Sequence, residues 1–263
     1  MSHINKKTAL ITGASTGIGY ELAKLFAADS YDLVLIARGE GGLKKVAEEL
    51  MADHSITITT IAQDLSVPGA AQAISNLTHH KGITIDVLVN NAGFATYGQF
   101  TSVNLSEQLG MMQVNMNALV ELTHEYLPEM RQRKSGKILN VASTAAFQPG
   151  PYMAIYFATK AFVLSFSEAL SVEVSSDLVT ITVLCPGPTH TEFAKRARLE
   201  FSTLFKGNVM NAAMVARSGY VAMNKGKTVI ITGIANKLGA FIVRLFSRNA
   251  VLWILQRTQS PKP

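Results

Sequence analysis

Short apolar runs alternate with stretches of helical periodicity along this 263-residue chain. Residues 8–12 form an apolar run that passes directly into Gly13-Ala14-Ser15-Thr16-Gly17-Ile18-Gly19, after which Leu22, Leu25 and Phe26 recur on one helical face. That order predicts a strand, a glycine turn and a helix. Further strands are predicted over 32–37, 56–62, 85–90, 137–142, 179–185 and 228–232, with helices over 43–50, 107 to about 133, and 154–175. Leu109, Met112, Met116, Leu119 and Leu122 set the period of the longest helix. The alternation predicts one domain, 1–263, with a mostly parallel sheet.

Two segments depart from this rhythm. From 192 to about 225, Phe193, Phe201, Leu204, Phe205, Met210 and Met214 stand among Lys195, Arg196, Arg198 and Lys206. This reads as a helical lid over an apolar pocket. In the tail, 234–263, Leu238, Phe241, Ile242, Leu245, Phe246 and the run 251–255 are interrupted by Arg244, Arg248 and Arg257. An amphipathic helix docked on the domain or on a subunit partner is the first reading, and a basic anchor at a membrane surface is the second.

Composition adds exclusions. Hydrophobic residues make up 48% and charged residues 16%, which suits a large buried core and excludes disorder. The net charge of +6 is modest and no Lys/Arg block stands out, so no nucleic-acid partner is expected. The single cysteine, Cys185, lies in an apolar strand and reads as a buried structural thiol. No second histidine stands at metal-ligand spacing from His190, so no metal is expected. The first seven residues contain no apolar signal core, and a cytoplasmic enzyme is the default.

The chemistry concentrates at strand ends. Glycines before a helix N-terminus let the backbone approach a pyrophosphate, whose charge meets free N–H groups. Arg38 lies 19 residues after Gly19, where dinucleotide folds often place an acid for the ribose 2′-hydroxyl. An arginine there, with Ser15 nearby, favours a 2′-phosphate and hence NADP(H) over NAD(H), while Glu40 argues the other way. Asp64 either caps a helix starting near 66–68 or meets the adenine amino group, with capping preferred on local grounds. Tyr156 and Lys160 are four residues apart on one predicted helix, so an ammonium beside the phenol is expected to lower its pKa. Asn115 sits mid-helix, where asparagine is a poor choice, and Ser143 stands at a strand tip.

Taken together, Thr12-Gly-Ala-Ser-Thr-Gly-Ile-Gly19, Asp64-Leu65, Asn90-Asn91-Ala92-Gly93, Asn115, Ser143, Tyr156-x-x-x-Lys160 and Pro186-Gly187-x-Thr189 resemble the short-chain dehydrogenase/reductase family in order and interval. The resemblance spans residue 8 to about 191. It implies an α/β fold, a doubly wound, mostly parallel, Rossmann-type sheet of about seven strands, here with a helical lid and an extra C-terminal helix. It also implies roles. Tyr156 would protonate a carbonyl oxygen as hydride arrives from the nicotinamide, and Lys160 would lower its pKa and hold the nicotinamide ribose. Ser143 would bind the substrate oxygen, and Asn115 would hold a water joined to Lys160. Gly13, Ser15, Thr16, Gly17, Ile18 and Gly19 would cradle the cofactor phosphates. Asp64, Leu65, Asn91, Ala92 and Gly93 would line the adenosine side, and Pro186, Gly187, Thr189 and Thr191 the nicotinamide side. The implied partner is a lipophilic ketone, aldehyde or alcohol, and a homodimer through the two long helices is expected. The rival readings are a cofactor-binding regulator without turnover and an NAD(H)-dependent alcohol dehydrogenase.

Overall fold

The computed structural model describes residues 6–193 and 209–259. Seven parallel strands form one sheet: β1 (Thr8–Thr12), β2 (Asp32–Ala37), β3 (Ile58–Ala62), β4 (Val87–Asn90), β5 (Gly136–Val141), β6 (Val179–Cys185) and β9 (Val229–Ile231), in the order β3-β2-β1-β4-β5-β6-β9. A two-stranded parallel pair, β7 (Thr189–His190) with β8 (Met210–Asn211), lies apart from it. The helices are α1 (Gly17–Ala28), α2 (Glu40–Asp53), α3 (Ala70–His80), α4 (Leu105–Met112), α5 (Ala118–Gln132), α6 (Ala154–Glu173), α7 (Ala212–Asn224), α8 (Ile234–Val243) and α9 (Arg248–Gln259). The doubly wound α/β fold expected from the sequence is the one observed.

Alternate residues of each strand feed two cores. Ala9 and Ile11 of β1 pack with Leu22 and Phe26 of α1, Leu43 and Leu50 of α2, and Val215 and Met223 of α7. Leu10 faces the other way, with Ile74 of α3 and Leu122 and Tyr126 of α5. Because helices cover both faces, β1 is buried at every position, which is why it reads as a continuous apolar run. The strand order reverses between β1 and β4, and the crevice at their carboxyl ends is the natural ligand position of this architecture.

Four expectations are corrected. Part of the expected 192–225 lid belongs to the layer that covers the sheet. Residues 212–224 form α7, whose Val215, Ala216, Gly219, Tyr220 and Met223 pack inward as a sheet-covering layer. Residues 194–208 of that proposed lid lie outside the described residues. The single C-terminal helix is two, α8 and α9. The helix after β3 begins at Ala70, because Asp64 accepts from the Ser66 N–H and Oγ at 2.9 and 2.8 Å and closes a local turn instead of capping α3. The long helix is interrupted between α4 and α5 by a π turn over Gln113–Asn117, where the Ala118 N–H reaches back five residues to the Gln113 carbonyl. Such turns mark a helix whose register has been shifted to present a side chain. Here the residue at its centre is Asn115.

Candidate active site

The glycine loop leaves β1 with Gly13 at φ +65° and Gly17 at φ +60°, backbone that side-chain-bearing residues rarely adopt. A Cβ at Gly19 would lie 2.3 Å from the Gly13 carbonyl oxygen, so only glycine permits this turn. Thr16, the N-cap of α1, makes no side-chain capping bond, leaving the first-turn N–H groups to an anion. Thr191, carried back from beyond β6, stands over this loop: a Cβ at Gly17 would meet its Cγ2 at 3.0 Å. The cradle and the uncapped helix start fit a dinucleotide pyrophosphate.

Thr12, at the tip of β1, accepts from the N–H groups of Asn91 and Ala92 at 3.0 and 2.9 Å through Oγ1. The Asn91 amide donates to the carbonyls of Thr12 and Gly13 at 2.8 and 3.2 Å. Its donors therefore hold the β1 and β4 ends together. Arg38 is exposed at the end of β2, and Ser15 lies beside the start of α2, near Gly42. Burial pushes the Asp64 carboxyl up, but the Ser66 hydrogen bonds and the charge of Arg38 outweigh it and hold the group below its ordinary value. Glu40 is the first residue of α2, where an acid complements the helix dipole.

Across the switch point, α6 carries Tyr156 and Lys160, which are 8% and 5% exposed. Their i, i+4 spacing does bring them to one face, with Lys160 Nζ 5.8 Å from the Tyr156 ring centre. Charge does not decide the phenol, however. Burial pushes Tyr156 up to about 12, against a lowering by its hydrogen bond with Ser143. Burial likewise pushes Lys160 down to about 8. The nearby Cys185 thiol, pushed up to about 12 by burial, is uncharged at neutral pH and gives the ammonium no counter-charge. The expected lowering of the tyrosine by the lysine is thus overridden by desolvation, which favours the neutral form of both groups.

Ser143 follows β5 and is oriented from both sides: Oγ accepts from the Ala145 N–H at 3.1 Å and lies 3.4 Å from the Pro186 carbonyl oxygen. Asn115 is buried, and its side chain is fully engaged. Oδ1 accepts from the Phe94 N–H at 3.1 Å, and Nδ2 donates to the Phe94 carbonyl at 3.0 Å and to Thr159 Oγ1 at 3.1 Å. Thr159 in turn donates to the Tyr156 carbonyl at 2.7 Å. The Asn115 amide therefore ties the loop after Gly93 to α6. Gly93 is the spacer: a Cβ there would lie 3.1 Å from Asn115 Oδ1 and 3.5 Å from Lys160 Nζ. Beyond β6, Thr189 is buried and donates to the Gly187 carbonyl at 2.8 Å.

Sequence reasoning quoted Thr12 in the glycine motif without giving it a role and passed over Thr159, the two hydroxyls that latch the site. Each is adjacent to a recognised motif residue, which is the only signal it offers. Patterning also missed the apolar wall around the tyrosine, made by Tyr97, Met111, Met153 and Phe157, with the Phe193 ring 5.5 Å from that of Tyr156.

A nucleotide cradle at a sheet's switch point, facing a buried tyrosine and lysine and a half-buried serine, defines a dinucleotide-dependent oxidoreductase fold. The short chain dehydrogenase family profile matches residues 7–201, and the chain belongs to that family, whose members use NAD(P)(H) and act on alcohol or ketone groups. It is 33% identical over 189 residues to the ketoacyl reductase HetN of Nostoc sp., covering 71% of this chain and 65% of that one. It is 35% identical over 175 residues to a very-long-chain 3-oxoacyl-CoA reductase of Laccaria bicolor, covering 66% of this chain and 52% of that one. Among solved structures, a short-chain dehydrogenase from Sphingobium yanoikuyae in complex with NADPH superposes with a TM-score of 0.82 at 29% identity, covering 97% and 99% of the two chains.

Proposed function

We propose that this chain is a cytoplasmic NADP(H)-dependent reductase of lipophilic ketones or aldehydes, with Tyr156 as the proton donor. The observation that carries the reading is a buried Tyr156 phenol beside Ser143 inside an apolar wall. A bound nicotinamide supplies the hydride. The Tyr156 hydroxyl gives its proton to the substrate oxygen as negative charge develops there, and Ser143 Oγ stabilises the same oxygen. Lys160, charged below about pH 8, stabilises the phenolate left behind and offers donors to a ribose. Asn115 and Thr159 fix the height of α6 against the loop after Gly93, which sets where the tyrosine stands.

NADP(H) is preferred because Arg38 is exposed at the ribose end, with no ion pair among the described residues, and a guanidinium suits a 2′-phosphate. An apolar ketone is preferred because the wall offers Phe, Tyr and Met faces. The ketoacyl and oxoacyl-CoA reductases among the relatives are in keeping with an acyl-chain ketone. The exposed Leu105 and Leu109 of α4 and Phe162 of α6 support a homodimer through these helices.

Tyr156→Phe is the deciding variant. NADPH binding, read by fluorescence, should be unchanged, while reduction of a panel of apolar ketones should fall by about a thousandfold. Turnover within a factor of a few of the native protein would overturn the assigned mechanism. A native protein that binds NADPH and reduces no member of a broad panel would favour the regulator reading.

A further inference from the structure

Beyond β9 the chain turns at Gly233 and presents a surface that the catalytic reading does not use. On α8 and the turn after it, Ile234, Leu238, Phe241 and Leu245 are 85, 56, 59 and 69% exposed. Their spacing of four, three and four residues places them on one stripe of the helix. The opposite face, with Asn236 and the buried Ala240, rests on the domain. A surface helix normally turns its apolar stripe inward, and α8 has it outward. Phe246, Leu252, Trp253 and Ile254 extend the exposed apolar area, while Val251 and Leu255 pin α9 to the fold. Contiguous apolar surface of this kind on a folded chain marks an interaction site.

The charges say what covers it. Residues 234–259 contain Lys237, Arg244, Arg248 and Arg257 and no acid. The rest of the chain holds twenty basic and eighteen acidic residues, so most of the net charge of +6 lies in this tail. A second copy docked here about a two-fold axis would set these cations against their own images, with no carboxylate in the patch to pair them. An anionic lipid surface meets both demands. The apolar stripe enters the headgroup boundary, the long basic side chains reach up to phosphates, and an indole sits at the interface. The Arg257 guanidinium lies 3.5 Å from the centre of the Trp253 ring, an arrangement that keeps charge and aromatic surface together. Ten residues of α8 span about 15 Å, half of a bilayer's apolar core, so the helix would lie in the interface and not cross it.

We infer that α8 and α9 dock this protein peripherally on an anionic lipid surface. The docking element is also joined to the candidate active site. Asn236 of α8 donates to the Thr232 carbonyl at 2.8 Å and occupies the space a Gly187 Cβ would need. The Arg244 guanidinium stands 6.0 Å from the ring centre of Phe147, in the short turn that follows Ser143. The lipid-facing helix therefore abuts loops on the substrate side. A lipophilic ketone would meet the enzyme where it partitions, a corollary that rests on the proposed substrate class, whereas the docking does not.

Trp253 is the only tryptophan in the chain and reports on this patch directly. Titrating the full-length protein with vesicles of phosphatidylcholine containing about one third phosphatidylserine should blue-shift its emission and carry the protein up in flotation. Pure phosphatidylcholine vesicles should bind at least about tenfold more weakly, and Leu238→Ser/Phe241→Ser and Arg244→Glu/Arg248→Glu should each lower anionic binding by at least about tenfold. These side chains are exposed, and unchanged far-ultraviolet circular dichroism checks that the variants fold. Unshifted emission with anionic vesicles would overturn the inference, as would equal binding to both vesicle types. A tail-dependent dimer, seen by light scattering and lost in Leu238→Ser/Phe241→Ser, would assign the face to a second copy and also overturn it. Vesicle binding without ketone turnover would leave the docking intact and count against the catalytic reading alone.

Discussion

Lys160 Nζ donates to the Val141 carbonyl oxygen at 2.8 Å, anchoring α6 to the end of β5. The bond orients a buried ammonium but does not cancel its desolvation, and burial leaves Lys160 at about 8 against an ordinary 10.5. Between those values the unfolded chain binds more protons than the folded one at this site. Its contribution to stability therefore rises with pH from about 8 towards 10.5. Measured against Lys160→Met, native stability should gain about 2 kcal/mol between pH 8 and 10, as read from urea midpoints. The neutral variant should itself unfold within about 1 kcal/mol of the native protein at pH 7 or be more stable. A stability difference independent of pH would show that Lys160 is not desolvated.

Arg38 is exposed at the end of β2, and its charge helps hold the Asp64 carboxylate ionised. If it recognises the 2′-phosphate, Arg38→Ala should weaken NADPH by about ten- to a hundredfold and change NADH by less than about twofold. Equal losses for both cofactors would pass the discrimination to Glu40 or another contact.

Two glycines separate backbone need from backbone freedom. A methyl at Gly19 would lie 2.3 Å from the Gly13 carbonyl, so Gly19→Ala should cost about 1–3 kcal/mol and weaken both cofactors. A methyl at Gly41, inside α2, meets nothing within 4 Å, and Gly41→Ala should stabilise the protein by about 0.5 kcal/mol. Thermal midpoints and cofactor titrations of the two variants check both signs.

Asn140 lies fully buried beneath the site and links three elements. It accepts from Asn90 Nδ2 at 2.9 Å and donates to Ser167 Oγ of α6 at 2.9 Å, while Asn90 also reaches Thr123 of α5 at 3.2 Å. Asn140→Ala should strand those partners and lower stability by about 2 kcal/mol. Because α6 carries Tyr156, turnover should fall more than substrate affinity. A loss confined to stability would show that the network does not position the helix.

The motifs legible in the sequence were those whose chemistry is local. A glycine turn needs positive φ at fixed positions, and a strand tip is visible where an apolar run meets polar residues. Gly13, Gly17, Gly19, Ser143, Tyr156 and Lys160 could all be found this way. Hydrogen bonds between distant segments leave no such pattern. The amide of Asn115 serving Phe94 and Thr159, and the Thr12 hydroxyl serving Asn91 and Ala92, join residues 21 to 80 positions apart.

The sequence by itself determined the alternation of strands and helices, the nucleotide cradle and the i, i+4 pairing of Tyr156 with Lys160, because each follows from local geometry and side-chain type. Tertiary structure alone decided what each face meets. The apolar side of α7, within the segment expected as a lid, covers the sheet, whereas the apolar stripe of α8 faces away from the fold. It also decided the protonation of the central pair, since periodicity places a lysine beside a phenol but only the surrounding chain removes the water from both.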